Sequence, residues 1–408
     1  MSAREVEPVA AIEGTVAPGF EPVRRAFERN FAAHGDKGAS VGIYVEGELV
    51  VDLWGGTADV DAGTPWTRDT LALAYSVTKG PTATVANLLA QRGALDLDRP
   101  VADYWPEFAA AGKERITTRS ILGHQAGLPV IDAHLTREEL FAAKAPAAAL
   151  ATQAPVWEPG TRHGYHALTF GWLIGEIVLR ATGTPLGEVL RKLVSEPLGI
   201  DLFIGCPVAE QGRIARQVNA ARPAPGAIEA IADPDLRAQV ERIVGAMMDP
   251  GSLLARALTS NGVLPLPDAA AWGEPSVYAA EQPAANGITN GRSLAKIYAA
   301  LVGEVDGVRL LDESSLDRAT APESGGYDAV LLAESRFASG YMLHSPVSRL
   351  FSDSSFGHTG AGGALGFADR DAGVGFGYVQ NQLGSGVEGQ PRTEGLIAAL
   401  REALAGAR

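Results

Sequence analysis

Strand-forming runs lie only towards the two ends of this chain, and a long helix- and loop-forming stretch separates them. Near the start, Ser40-Val-Gly-Ile-Tyr-Val45 and Leu49-Val-Val-Asp-Leu-Trp54 are β-rich and joined by Glu46-Gly47-Glu48, a connection of hairpin length. Near the end, strand character returns at Phe337 to His344, Gly363 to Ala368 and Gly373 to Gln380, with Asp369-Arg-Asp-Ala372 turning between the last two. An amphipathic helix is predicted at Phe20 to Ala33, and further helices at 76 to 92, 167 to 181 and Thr393 to Ala405. The strand-helix alternation of a doubly wound parallel sheet is absent. The pattern predicts an α+β chain: one antiparallel sheet built from N- and C-terminal strands with flanking helices, plus an inserted, mostly helical region. We place the sheet domain in residues 1–75 and 286–408 and the helical region in 76–285. Within the latter, 206–285 carries the pieces PAPG, DPD, LPLPD and EQP around a helix at Asp235 to Met248, which predicts an irregular cover bordering a ligand cleft.

Charge and cysteine content narrow the class of function. The formal charge is −14, which repels nucleic acid and anionic membranes and suits an enzyme acting on a small molecule. A single Cys206 rules out an intramolecular disulfide, and 408 residues are enough to bury a core without one. The first twenty residues carry three Glu and lack a cationic start followed by an apolar run, so no signal peptide is read. No stretch reaches the roughly 18 apolar residues needed to span a bilayer. The expected address is therefore the cytoplasm, with no nucleic-acid or membrane partner; oligomeric state is left open.

Chemistry concentrates at three places. Ser76-Val-Thr-Lys79 follows the extended Leu71-Ala-Leu-Ala-Tyr75 and begins a predicted helix, so residues i and i+3 share a face and the serine lies beside unpaired N–H groups. A serine needs a base within reach, and a lysine serves when burial or a neighbouring cation lowers its pKa. A second Ser-x-x-Lys, Ser293 to Lys296, lies in an ordinary amphipathic pattern with little chain left for partners. Downstream, Trp157-Glu-Pro-Gly-Thr-Arg-His-Gly-Tyr165-His-Ala167 is a loop leading into a helix; Tyr165 is its candidate proton relay, against the competing reading of a core tyrosine. Near the end, Gly357-His-Thr-Gly-Ala-Gly-Gly363 runs into a strand, and its glycines let backbone approach a ligand and offer N–H groups for an oxyanion hole.

The ordered set Ser-x-x-Lys, Tyr and His-Thr-Gly resembles the penicillin-recognising serine hydrolases, and within them the family VIII carboxylesterases, relatives of class C β-lactamases. The likeness extends over nearly the whole chain, through VGIYVEGELVVDLWGG, ILGHQAGLP, PGTRHGYHALTFGWLIGE and GHTGAGGALGFAD. It implies the β-lactamase/transpeptidase-like fold, acylation of Ser76, and proton handling by Lys79 and Tyr165. It also implies oxyanion N–H groups from Ser76 and Ala361, and a third side lined by His358, Thr359 and Gly360. Two departures matter. Tyr-x-Asn reads Tyr165-His166-Ala167, losing an amide, and Lys-Thr-Gly reads His358-Thr-Gly, replacing a fixed positive charge by a residue mostly neutral at pH 7. Both favour neutral esters over β-lactams.

Further candidates for the cleft wall are Tyr75, Trp157, His166 and Tyr341, each with a core-packing alternative. Gly38-Ala-Ser40-Val-Gly42 matches the nucleophile elbow of α/β-hydrolases but leads into a strand rather than a helix, so Ser40 is set aside. His163 and His166 lack a metal-binding companion pattern, and His124 reads as a partner of buried backbone. Pro81, five residues into the helix, is expected to kink it. The reading is a serine carboxylesterase for short-chain or aryl esters, with no metal or cofactor. The alternatives are an amide or β-lactam hydrolase or acyl transferase sharing the acyl-enzyme, and a catalytically silent binding member of the fold.

Overall fold

The computed structural model describes residues 11–220, 226–265, 268–345, 348–384 and 391–406. Its strands are β1 Ile12–Val16, β2 Gly38–Val45, β3 Glu48–Asp59, β4 Thr64–Pro65, β5 Ala72–Leu73, β6 Leu202–Phe203 and β7 Ile288–Thr289. The later ones are β8 Ser324–Tyr327, β9 Glu334–Phe337, β10 Met342–Leu343, β11 Ser355–Thr359, β12 Leu365–Asp369 and β13 Val374–Gln380. The main sheet runs in the order β1-β3-β2-β13-β12-β11-β10-β9-β8, with β4 on β3, and each pairing is antiparallel. The early hairpin and the late strands therefore join at β2 and β13, in register from Val374 against Val45 to Gln380 against Ala39. The hairpin turns through Glu46 and Gly47, both at positive φ (49° and 85°), the backbone that matches the twist of a tight two-residue turn.

Period-two patterning on β13 explains how helices cover both faces. Val374, Phe376 and Tyr378 enter one core with the helices Glu21–His34 and Pro391–Gly406, through Val23, Phe27, Leu396 and Leu400. The residues between them are glycines, and the helix Gly291–Val302 lies directly on that bare face. A Cβ on Gly375 would sit 2.4 Å from the Ala299 N, and one on Gly377 would sit 2.4 Å from the Gly291 O.

The larger core joins that helix to the helical region, whose central element is Lys79–Gln91. Every residue from Lys79 to Leu89 is buried. Pro81 does not kink it, contrary to expectation: Tyr75–Thr78 is a 3-10 turn and the α-helix begins at Lys79, so Pro81 falls in the first turn, where its missing N–H breaks no intrahelical bond. The helix Thr169–Thr182 packs beside it. Within the expected cover, Pro234–Met248 and Leu253–Thr259 are helices; most of PAPG and part of LPLPD lie outside the described residues. Among the described residues no helix is long and apolar enough to cross a membrane.

Two late strands differ from expectation. Phe337 to His344 is not one strand: β9 ends at Phe337, and Ala338 N–H bonds Tyr341 O in a tight turn through Gly340 at φ 85° before β10 begins. The glycine-rich stretch does not simply run into a strand either. His358 and Thr359 end β11, and the turn Gly360–Ala364 leads to β12. The Ser-, Gly- and His-rich sequence of β11 has weak β-propensity, and its neighbours in the sheet supply the pairing that its own residues do not signal.

Candidate active site

Ser76 stands at the top of a turn that the surrounding chain holds rigidly. Tyr75 adopts φ 47°, a left-handed conformation that costs a residue with a side chain about 1–2 kcal/mol, and it bends the chain sharply between β5 and the helix from Lys79. Ala74 N–H bonds Gly287 O at 2.9 Å, and Gly287 N–H bonds Thr78 Oγ1 at 2.8 Å, tying both sides of the turn to the segment before β7. From Leu71 to Leu89, Ser76 is the only residue that is not buried.

Lys79 lies one turn below, with Nζ 3.3 Å from Ser76 Oγ, 2.7 Å from Ala167 O and 3.0 Å from Ala284 O. It is fully buried, and these three partners are a hydroxyl and two backbone carbonyls. Removing an ammonium from water without a counter-charge disfavours it, so burial holds the Lys79 pKa well below the usual lysine range. In its neutral form this amine has two N–H groups for the two carbonyls and a lone pair for the Ser76 hydroxyl.

The Tyr165 phenol lies near Ser76, and its ring centroid is 4.7 Å from Lys79 Nζ. Burial raises the phenol pKa above its ordinary value; the neighbouring Ser76 opposes this and the Asp328 charge adds to it, so the ring keeps its proton. Its position rests on residues that carry no sequence signature. The buried Asp328 Oδ1 accepts from the N–H groups of Tyr165 at 3.0 Å, Val330 at 2.8 Å and Leu331 at 2.9 Å. Asp328 Oδ2 accepts from Ser335 Oγ at 2.9 Å, which leaves Ser335 Oγ to accept from His163 Nε2 at 2.9 Å. Phe337 stacks on the phenol at 6.1 Å and 12°. His124, at φ 59°, takes the His166 N–H on Nδ1 at 3.1 Å and packs against Tyr165. Asp328, Ser335 and Phe337 were missed because nothing local in GGYDAVLLAESRF marks them.

The third side is the end of β11. A Cβ on Gly360 would lie 2.5 Å from Ala74 O and 3.1 Å from Val77 Cγ2, so only glycine lets this strand end sit against the Ser76 turn. Thr359, Gly360 and Ala361 are partly exposed there. His358 is buried beside Tyr165, ring centroids 5.9 Å apart; Nδ1 donates to Thr359 O at 2.6 Å and Nε2 has no hydrogen-bond partner among the described residues. Burial lowers its pKa to about 3, so it is neutral. An apolar cluster containing Tyr165, Trp157, Ala167, Phe337 and Met342 extends to Ile243 and Leu254 of the inserted helices.

Four expected residues sit differently. His166 does not line the cleft: it is buried, its Nε2 accepts from Leu128 N–H at 3.0 Å and its Nδ1 donates to Gly164 O at 2.7 Å, so both nitrogens brace the loop. Tyr75 does not wall a pocket, because its side chain points into the core against Trp272 at 5.7 Å. Tyr341 is fully buried behind the helix and bonds Thr84 Oγ1 at 2.9 Å. Trp157 is 8% exposed, packs edge-on against His166 and belongs to the apolar cluster around Tyr165. Outside the site, Lys296 bonds Leu198 O and pairs with Asp306 rather than meeting Ser293, and Ser40 Oγ accepts from Gly291 N–H.

Comparison with known proteins points the same way as the geometry. The beta-lactamase family model matches residues 23–401. The esterase/beta-lactamase LipL of Mycobacterium tuberculosis is 35% identical over 388 residues, covering 91% of this chain and 83% of that protein. A crystal structure of a family VIII carboxylesterase superposes with a TM-score of 0.85 at 37% identity, covering 96% of this chain and 100% of the other. EstA from Arthrobacter nitroguajacolicus gives 0.81 at 32% identity, covering 96% and 98%.

Proposed function

Given that the chain belongs to the beta-lactamase family of hydrolases, we propose that it is a serine carboxylesterase that cleaves short-chain or aryl esters through an acyl-enzyme on Ser76. The observation that carries this reading is the placement of the partly exposed Ser76, its hydroxyl 3.3 Å from the buried Lys79 amine and beside the Tyr165 phenol.

The chemistry follows from the protonation states. Neutral Lys79 takes the proton of Ser76 Oγ as that oxygen attacks the ester carbonyl carbon. Negative charge then gathers on the carbonyl oxygen, facing the N–H groups of Ser76 and Ala361. Tyr165 gives its proton to the departing alkoxide and regains one from the Lys79 ammonium, so the alcohol leaves and the acyl group stays on Ser76. A water molecule reverses the sequence, with its proton passing back to Ser76 Oγ and the acid departing.

Three features support an ester over a β-lactam. Neutral His358 presents no fixed positive charge to a substrate carboxylate. Ala167 stands where an amide side chain would hold an acylamide group. The cluster from Tyr165 to Ile243 and Leu254 is apolar. Because LipL is named both esterase and beta-lactamase, the β-lactam or amide reading is kept as the second one. Turnover of p-nitrophenyl butyrate, an anilide and nitrocefin, each with and without added alcohol, separates hydrolysis of each class from acyl transfer. The expected result is ester turnover dominant, with a Ser76 adduct seen by intact mass and lost in Ser76→Ala. Undiminished ester turnover in Ser76→Ala overturns the reading.

A further inference from the structure

The turn that carries Ala361 is held by a buried ion pair that involves none of the three catalytic candidates. Gly360 N–H bonds Ala364 O at 2.7 Å and Gly363 N–H bonds Gly360 O at 3.1 Å, closing the turn on itself. In a planar trans peptide, C=O and N–H point in opposite directions, so a Gly360 carbonyl turned inward sends the Ala361 N–H outward. The next carbonyl but one, Gly362 O, accepts from three donors: Gln380 Nε2 at 2.7 Å, Gly384 N–H at 2.9 Å and Arg392 at 3.2 Å. Gly362 itself is at φ 81°, and a Cβ there would sit 2.5 Å from Leu383.

Arg392 lies in the first turn of the last helix and is 5% exposed. Its guanidinium also donates to Gln382 O at 3.0 Å and His34 O at 2.8 Å, and its Nε pairs with the buried Asp36 Oδ1 at 2.8 Å. The Asp36 carboxylate is further engaged by the Tyr378 hydroxyl. One cation therefore joins the end of the first helix, β13 and its extension, and the glycine turn. A planar guanidinium is suited to hold several carbonyls in fixed directions.

We propose that Arg392, held by Asp36 and assisted by Gln380, is a positioning group for the oxyanion-binding turn. It fixes the Gly362 carbonyl and thereby the direction of the Ala361 N–H. This rests on the acyl-enzyme reading above, in which Ala361 faces the developing oxyanion. Losing an oxyanion donor outright costs about 10²- to 10³-fold in kcat, and tilting one costs part of that.

The test compares wild type, Arg392→Lys and Gln380→Met for kcat and KM on p-nitrophenyl butyrate, and for affinity towards a boronic acid, whose tetrahedral adduct carries the oxyanion. Gln380→Met removes a donor to Gly362 O without disturbing the ion pair, so it remains informative if the arginine variant folds poorly. The expected result in Gln380→Met is kcat lower by about tenfold, KM within about twofold, boronate affinity lowered in parallel with kcat, and an unchanged thermal midpoint. Wild-type kcat and boronate affinity in Gln380→Met, or equal loss of kcat and ground-state binding, overturns the proposal. Ser76→Ala run alongside distinguishes the two failures: if it abolishes turnover while Gln380→Met does nothing, only the positioning role falls.

Discussion

The Asp328 carboxylate accepts the backbone N–H of Tyr165 at 3.0 Å across 163 residues of sequence. It ties a loop of the helical region to the segment between β8 and β9, so the phenol is placed by the sheet as much as by its own loop. Asp328→Ala strands the N–H groups of Tyr165, Val330 and Leu331 in a buried site, at about 1–3 kcal/mol for each left unpaired. Denaturant unfolding should show a loss of several kcal/mol, and ester turnover should fall at least tenfold. Asp328→Asn retains one acceptor oxygen and should lose less of both. Full turnover in the alanine variant removes Asp328 from any role in placing Tyr165.

Gly360 brings β11 against the nucleophile turn, and an added methyl would lie 2.5 Å from the Ala74 carbonyl. Gly360→Ala is expected to reduce the rate of Ser76 acylation by about 10²-fold, on the scale of losing an oxyanion donor. Gly245, inside the helix Pro234–Met248, is the control, because a methyl added there meets no other atom within 4 Å. Gly245→Ala should keep full activity and gain up to about 1 kcal/mol of stability from helix propensity. Stopped-flow acylation with a chromogenic ester measures the first and thermal unfolding the second.

Lys79 reports through pH. Its folded-state pKa is lowered by burial, so the active neutral amine is lost as pH falls through that value, and kcat/KM should show an acid limb below the ordinary lysine range. The linkage has the same sign. Because the unfolded chain binds the proton first, this group's contribution to stability is absent below the folded pKa and grows as pH rises towards the unfolded value. Lys79→Met should abolish turnover and flatten that part of the stability profile. An activity profile unchanged in shape by any Lys79 substitution contradicts its part in the reaction.

The elements legible in the sequence were those whose own residues carry the pattern. The hairpin of β2 and β3, the helix Thr169–Thr182 and the final helix were legible because their own residues are strand- or helix-forming and apolar where they pack. β11 was not legible as a strand, since Ser355-Phe-Gly-His-Thr359 has little intrinsic preference and is held by β10 and β12 on either side. Among site residues, Ser76, Lys79 and Tyr165 stood out because their residue types and order suggest chemistry. His166 and Tyr341 showed the limit of that reasoning: a polar or aromatic residue near a motif still points wherever its backbone turns it, and both turned inward.

By itself, the sequence determined an antiparallel sheet closed by its two ends, a serine poised one helical turn from a lysine, and a glycine-rich stretch able to approach it. Tertiary structure alone decided that Lys79 is buried and its pKa lowered, that Asp328 anchors Tyr165 and that Arg392 grips the turn before it. Periodicity and residue spacing are local properties that a sequence records, whereas desolvation and the meeting of distant hydrogen-bond partners exist only once the chain has packed.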